Sequence, residues 1–188
     1  KVFYNISKIL CCEVTMDKIK EFKEQLTAAR PEDWEQIPDI DLYMDQVISY
    51  MTRQHIGLEL ENEETLTSAM INNYIKSGLL PRAKGKKYNR EHIGYLTAIC
   101  LLKQVLSVGE TGVLLNNQME HRDIEDFYHN YKVTLDNEFN LVAEELKVDA
   151  SEEELAQLAL KMAVSSYAQM LACKKILQAI PPEKEQEK

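Results

Sequence analysis

The sequence is poor in everything that interrupts a helix, with 6 glycines and 5 prolines in 188 residues. Alternating apolar and polar residues are scarce as well, so a β-sandwich, a barrel or a parallel sheet is excluded and the class is mainly α. The four cysteines, Cys11, Cys12, Cys100 and Cys173, include no CxxC spacing, which excludes a zinc ribbon and a disulfide scaffold. The longest near-apolar run, Ile93–Leu102, is far short of the about 20 residues that cross a bilayer. No signal-peptide core precedes a small-residue cleavage site, so a reducing cytoplasm is the expected compartment and no membrane partner is expected. A start at Lys1 rather than Met reads as a trimmed N-terminus. GxSxG, P-loop and GxGxxG motifs are all missing. His55, His92, His121 and His129 share no ligand spacing, and the carboxylates Asp39, Asp41 and Asp45 read as cap and solvated face. No enzyme activity, metal or cofactor is therefore expected.

What is present is apolar periodicity at three- and four-residue spacing. A first helix is predicted over Met16–Ala29, with Thr15 as its cap and Pro31 closing it. After a linker bearing Trp34, Asp39 or Asp41 should cap a helix to about Arg53, with Met44, Val47, Ile48 and Met51 on one buried stripe. An acidic connector (Glu59, Glu61, Glu63, Glu64) leads to a short helix from Thr67 to Lys76, stopped by Gly78 in the left-handed conformation and confirmed by Pro81. Pro81–Tyr88 suits a tight hairpin turning at Gly85. Asn89 should then cap a helix to about Leu106, and Ser107 with Glu110 forms a capping box for a helix through Leu115. Two long helices, about Arg122–Leu146 and Glu152–Ile180, complete the chain, the second opened by a Ser151–Glu154 box. Apolar residues lie on more than one side of the last helix, which makes it either the centre of a bundle or half of an oligomer interface. Cys100 and Cys173 fall in apolar helices and read as core.

Charge is unevenly distributed. The net charge of −9, from 22 Lys and Arg against 31 Asp and Glu, argues against indiscriminate binding to nucleic acid. Met70–Gln104, however, carries Lys76, Arg82, Lys84, Lys86, Lys87, Arg90 and Lys103 against Glu91 alone, a local charge of +6 that leaves −15 for the remainder. A segment this positive is an electrostatic footprint for a polyanion, because local field determines where phosphates bind. In the short helix, Ile71, Tyr74 and Ile75 form the inner side, while Ala69, Asn72, Asn73 and Lys76 share the outer one. Asn pairs bidentately with adenine, and Lys meets a guanine edge or a phosphate. A solvated polar face and an ordinary basic loop are the plain alternatives.

The run Met70-Ile71-Asn72-Asn73-Tyr74-Ile75-Lys76-Ser77-Gly78-Leu79-Leu80-Pro81, a basic hairpin, and Lys87-Tyr88-Asn89-Arg90-Glu91-His92-Ile93-Gly94-Tyr95-Leu96 resemble the helix, wing and helix of a MerR-type winged helix-turn-helix. With Asp39–Val47, these blocks are similar to a Firmicute family described only as a domain of unknown function, the 1836 type. The resemblance covers roughly Ile37 to Leu115. It implies a MerR-like winged helix with a small β-wing, flanked by additional N- and C-terminal helices. It also implies that Thr67–Lys76 is a recognition helix, Arg82–Lys87 a wing and Tyr88 the aromatic that closes the wing onto the next helix. Asn72-Asn73-Tyr74 stands where such proteins usually place Arg-Tyr-Tyr, and about a dozen residues separate Arg53 from Thr67 where they have a tight turn.

The expected organisation is an N-terminal helical extension (1–37), a winged-helix domain (38–118), a C-terminal helical hairpin that supplies dimerisation (119–180) and a disordered tail (181–188). The expected function is sequence-specific binding of double-stranded DNA by a homodimer, hence transcriptional regulation. Asn72, Asn73 and Lys76 would address the major groove, and Arg82, Lys84, Lys86, Lys87 and Arg90 the phosphates or the minor groove. The alternative is a protein-interaction module whose basic face takes an acidic partner. A small-molecule effector between the C-terminal helices is left open.

Overall fold

The computed structural model describes residues 16–54 and 66–181. Thr15, Cys11, Cys12, the acidic connector and the tail beyond Pro181 lie outside them. Among the described residues the chain is mainly helical. Helix α1 covers residues 16–28, and a 3-10 turn follows at Trp34–Gln36. The later helices are α2 (Met44–Arg53), α3 (Ser68–Lys76), α4 (Arg90–Leu102), α5 (Val108–Met119), α6 (Ile124–Glu145) and α7 (Glu152–Ala179).

Most boundaries follow from local capping chemistry. Thr67 Oγ1 accepts from the Met70 amide at 3.2 Å and Asn89 Oδ1 from the His92 amide at 3.3 Å. Ser107 and Ser151 each accept from the amide of a glutamate three residues on, while that glutamate accepts from the serine amide. Each arrangement satisfies two amides that the first helical turn leaves unpaired. Gly78 ends α3 with φ 74°, as expected.

The expected cap of α2 is wrong. Leu42 pairs with Tyr88 through both backbone hydrogen bonds, each 2.8 Å, so the chain stays extended past Asp39 and Asp41. The helix begins only at Met44, and Gln46 Oε1 takes up the Tyr43 amide at 2.9 Å. Two other boundaries move. Helix α4 stops at Leu102 rather than Leu106, where the chain turns and Lys103 Nζ reaches the Leu106 carbonyl at 3.2 Å. Helix α6 begins at Ile124, capped by Asp123, rather than at about Arg122. The expected β-wing is also reduced: among the described residues there is no strand, only the isolated bridges Leu42–Tyr88 and Lys84–Lys87.

The main core is built around α4, which packs on both α2 and α6. Val47 and Met51 from α2, Ile71 and Tyr74 from α3, and Ile93, Leu96 and Ile99 from α4 meet Ile124, Phe127 and Tyr128 from α6. Trp34 and Ile37 belong to the same core, so the segment before the expected boundary at residue 38 packs as part of it. Gly94 is the close-approach point: a β-carbon there would lie 2.8 Å from the Trp34 ring. A second, smaller core joins Leu26 of α1 to Ala143 and Leu146, with Leu158 and Met162 of α7 against it. Helix α6 thus serves one core with its first half and the other with its second. No helix among the described residues is long and apolar enough to cross a membrane.

Candidate nucleic-acid interface

From Leu66 to Arg90 the sequence holds six cations and no acid, and the fold presents most of them outward. In α3, Ile71 and Tyr74 are buried while Asn72, Asn73 and Lys76 are exposed, because a nine-residue helix with one apolar stripe has to leave the opposite side to water. Leu79 and Leu80 are buried beneath the following turn, where both amides donate to the Tyr74 carbonyl, at 2.9 and 3.1 Å. This anchor fixes the end of α3 and the start of the basic hairpin.

The hairpin turns on two residues, Gly85 (φ 59°) and Lys86 (φ 64°), with the Lys87 amide donating to the Lys84 carbonyl at 3.1 Å. Two consecutive left-handed residues define the tight turn whose twist matches paired extended chains. Glycine is suited to the first; Lys86 adopts the conformation at a cost of about 1–2 kcal/mol. The result is that Lys84 and Lys86 stand exposed on a rigid tip, with exposed Arg82 just before it. Asn72, Asn73, Lys76, Arg82, Lys84 and Lys86 make no side-chain hydrogen bond or ion pair with another described residue.

Lys87 and Arg90 are placed differently. Lys87 Nζ lies 5.8 Å from the centre of the Tyr43 ring, and the Arg90 guanidinium lies 5.9 Å from that of Trp34. Arg90 Nε donates to the Ile37 carbonyl at 3.0 Å. Arg90 therefore ties α4 to the chain before α2, with only the far end of its guanidinium left for an outside group.

The hairpin is held to the body by Tyr88 and His92. Tyr88 is buried, stacks edge-on against His92 with ring centres 5.3 Å apart, and has its hydroxyl pKa raised by burial. His92 is 6% exposed; its Nδ1 accepts from the Asn89 amide at 3.2 Å, and Nε2 faces the Arg82 carbonyl without hydrogen-bonding geometry. Burial, and then the Lys84 charge, lowers its pKa against the opposing pull of the Arg82 carbonyl, Glu91 and Asp41. A neutral imidazole thus sits beneath the basic tip.

Sequence reasoning missed how this unit is closed. Tyr128 of α6 donates to the Glu32 carbonyl at 2.8 Å, and Lys132 donates to the Pro31 carbonyl at 2.8 Å while pairing with Asp33. Tyr50 Oη donates to Glu32 at 2.6 Å. These partners are up to about a hundred residues apart, and no local signal announces them. Trp34, the lone tryptophan, was the available hint that the linker is part of a core.

One set of metal-capable side chains comes together among the described residues. Glu35, Glu125 and His129 place their ligand atoms within 4.8 Å of one another, all exposed. Glu125 and His129 are one turn apart on α6, whereas Glu35 arrives from the 3-10 turn, so spacing along the sequence does not reveal the group. Cys100 and Cys173 are half-buried.

No curated protein and no solved structure matches the chain. A family model matches residues 32–132, just over half of the sequence and the same stretch that the Tyr128 and Lys132 contacts close at its two ends. The chain belongs to the family described as Domain of unknown function (DUF1836).

Proposed function

We propose that the protein binds double-stranded DNA through the outer face of α3 and the hairpin after it, and acts as a transcriptional regulator rather than an enzyme. The observation that carries this reading is the acid-free, outward-facing segment 66–90 in a chain of net charge −9. In this reading α3 is the recognition helix of a MerR-like winged helix. Asn72, Asn73 and Lys76 read base edges, and Arg82, Lys84, Lys86 and Lys87 contact phosphates or the minor groove. Arg90 acts mainly by holding α4 in place. The hairpin plays the wing with a single bridge instead of strands. One nine-residue helix reads too few bases for a specific site, so two copies act together in the cytoplasm on a two-fold target. The acidic remainder keeps the protein off random sequence.

Fluorescence anisotropy on a randomised duplex pool tests the reading. Binding is expected at low salt and weakens steeply with added salt, the logarithm of affinity falling by about 0.9 per phosphate neutralised for each tenfold increase. Changing Lys84, Lys86 and Lys87 together to Glu abolishes binding and leaves the helical circular dichroism unchanged. Absence of binding at low salt refutes it.

A second reading has one specific observation in its favour. Ile40 and Tyr43, 64% and 53% exposed, flank the bridge to Tyr88 and set apolar surface beside the basic tip, as an acidic protein partner would require. In that case Ile40→Ser and Tyr43→Ser weaken partner binding, whereas in the DNA reading they leave duplex affinity within about twofold.

A further inference from the structure

The first half of α6 and the 3-10 turn are tied to each other by hydrogen bonds. Tyr128 and Lys132 donate to the Glu32 and Pro31 carbonyls, each at 2.8 Å, and Trp34 is buried against Tyr128. This frame carries Glu35 on the turn, and Glu125 and His129, one helical turn apart, on α6. His129 Nε2 lies 3.6 Å from Glu35 Oε1 and 4.0 Å from Glu125 Oε1, and the three donor atoms all lie within 4.8 Å of one another. Among the described residues neither glutamate pairs with a lysine or an arginine; both converge on the one imidazole. Lys132, three residues past His129, is taken by Asp33.

We propose that Glu35, Glu125 and His129 form a binding site for a divalent first-row transition ion, zinc first among them. The imidazole is what separates this group from an ordinary acidic patch. One ring nitrogen with carboxylate oxygens suits zinc, cobalt or nickel, whereas calcium and magnesium take oxygen ligands alone. Two carboxylates brought side by side repel each other, and a dication between them offsets both charges. The distances fit as well. With metal bonds of about 2.0–2.2 Å, the donors of a tetrahedral shell stand about 3.0–3.5 Å apart. Glu35 is nearly at that spacing from His129, and Glu125 reaches it by a small rotation of an exposed side chain. The backbone need not move, because the turn is already tied to α6. All three side chains are exposed, so the ion arrives from solvent and water completes its shell. Once bound, it pins the turn beside Trp34 to α6 a further time and makes the closure of the family unit depend on metal. The proposal rests on this cluster alone and not on DNA binding.

Calorimetric titration of the full chain with zinc is the test, with cobalt as the spectroscopic probe. Saturable zinc binding that raises the unfolding temperature read from Trp34 fluorescence is expected, since an ion that binds only the folded chain stabilises it. Loss of a mere outer-shell partner costs a metal site about 10–100-fold in affinity, so His129→Ala, Glu35→Gln and Glu125→Gln should each weaken binding at least about tenfold and abolish the rise in unfolding temperature. Their circular dichroism stays unchanged, because all three side chains are exposed. His121→Ala, at an exposed histidine outside the cluster, binds as the wild type does. The chain also has four cysteines, and cobalt separates them from this site: bound here it gives no thiolate charge-transfer band. Absence of zinc binding overturns the proposal, as does binding that is accompanied by that band and survives His129→Ala. Binding indifferent to Glu35→Gln overturns it too, because the metal would then sit on the α6 pair without the turn.

Discussion

Helices α4 and α7 are both apolar, yet seven of the 13 residues of α4 are buried against one of the 28 in α7. The difference lies in the neighbours. Helix α4 packs on α2, α6 and the Trp34 turn, so even its glycine and threonine are covered. Helix α7 has neighbours on one side only. Apolar content therefore does not report burial; the number of faces that find partners does. The family-matched unit 32–132 is completed by its own chain, while Leu160, Val164, Tyr167 and Leu171 of α7 stay exposed.

Truncation of one large side chain in each helix gives the sharpest contrast. Ile99, fully buried in α4, costs about 2–5 kcal/mol when changed to Ala. Leu171→Ala, at an exposed position of α7, stays within about 0.5 kcal/mol. Urea unfolding followed by Trp34 fluorescence and by circular dichroism measures both. Equal losses would break the comparison.

Gly94→Ala comes next. Alanine is the better helix former by about 1 kcal/mol, but its methyl meets Trp34 at 2.8 Å. That ring cannot retreat, being 5% exposed and tilted against Tyr128 at 5.5 Å. Overpacking of about 1–3 kcal/mol wins, and Trp34 emission shifts with it. The equivalent change at an exposed glycine, Gly109, where nothing lies within 4 Å, is expected to be neutral or stabilising. Smaller again are the caps: Ser107→Ala and Ser151→Ala each cost about 1 kcal/mol. Only Ser107, inside the family unit, is expected to move the Trp34 transition; if Ser151 moves it equally, the two regions unfold as one body.

Legibility in the sequence divides along the same line. Thr67, Asn89, Ser107, Ser151 and Gly78 were readable because each acts on amides or carbonyls within four residues, and Gly85 because a tight turn demands its φ. Asp39 and Asp41 misled because a long-range pairing, Leu42 with Tyr88, overrode a good local cap. The outer polar face of α3 was legible from spacing, and the structure leaves Asn72, Asn73 and Lys76 exposed. Arg90 was not: charge counting cannot tell a free guanidinium from one lying over Trp34 and bonded to Ile37. The closure of the unit by Tyr128 and Lys132 was invisible for the same reason, since a tyrosine and a lysine in mid-helix carry no mark of a partner about a hundred residues earlier.

The mildest probe uses pH to address the family unit alone. His92 is buried and its pKa is lowered from 6.5, by burial first and by Lys84 second. Below pH 6.5 the unfolded chain takes up a proton that the folded unit resists, so this residue's stabilisation is complete above that pH and declines as pH falls toward the lowered value. The Trp34 transition therefore weakens between pH 7.5 and 5.5. His92→Gln removes the titration while its side-chain oxygen can still accept from the Asn89 amide, so its Trp34 transition responds less to pH over that range. Among the described residues the α7 end holds no comparable group: its Ser151–Glu154 box has a glutamate whose pKa is lowered from 4.5 by the Ser151 amide and hydroxyl, and it loses that contribution only as pH falls below 4.5. Mild acid should thus loosen the basic hairpin and its unit before it touches α7, and a wild-type profile parallel to that of His92→Gln would show that the buried imidazole does not set the order.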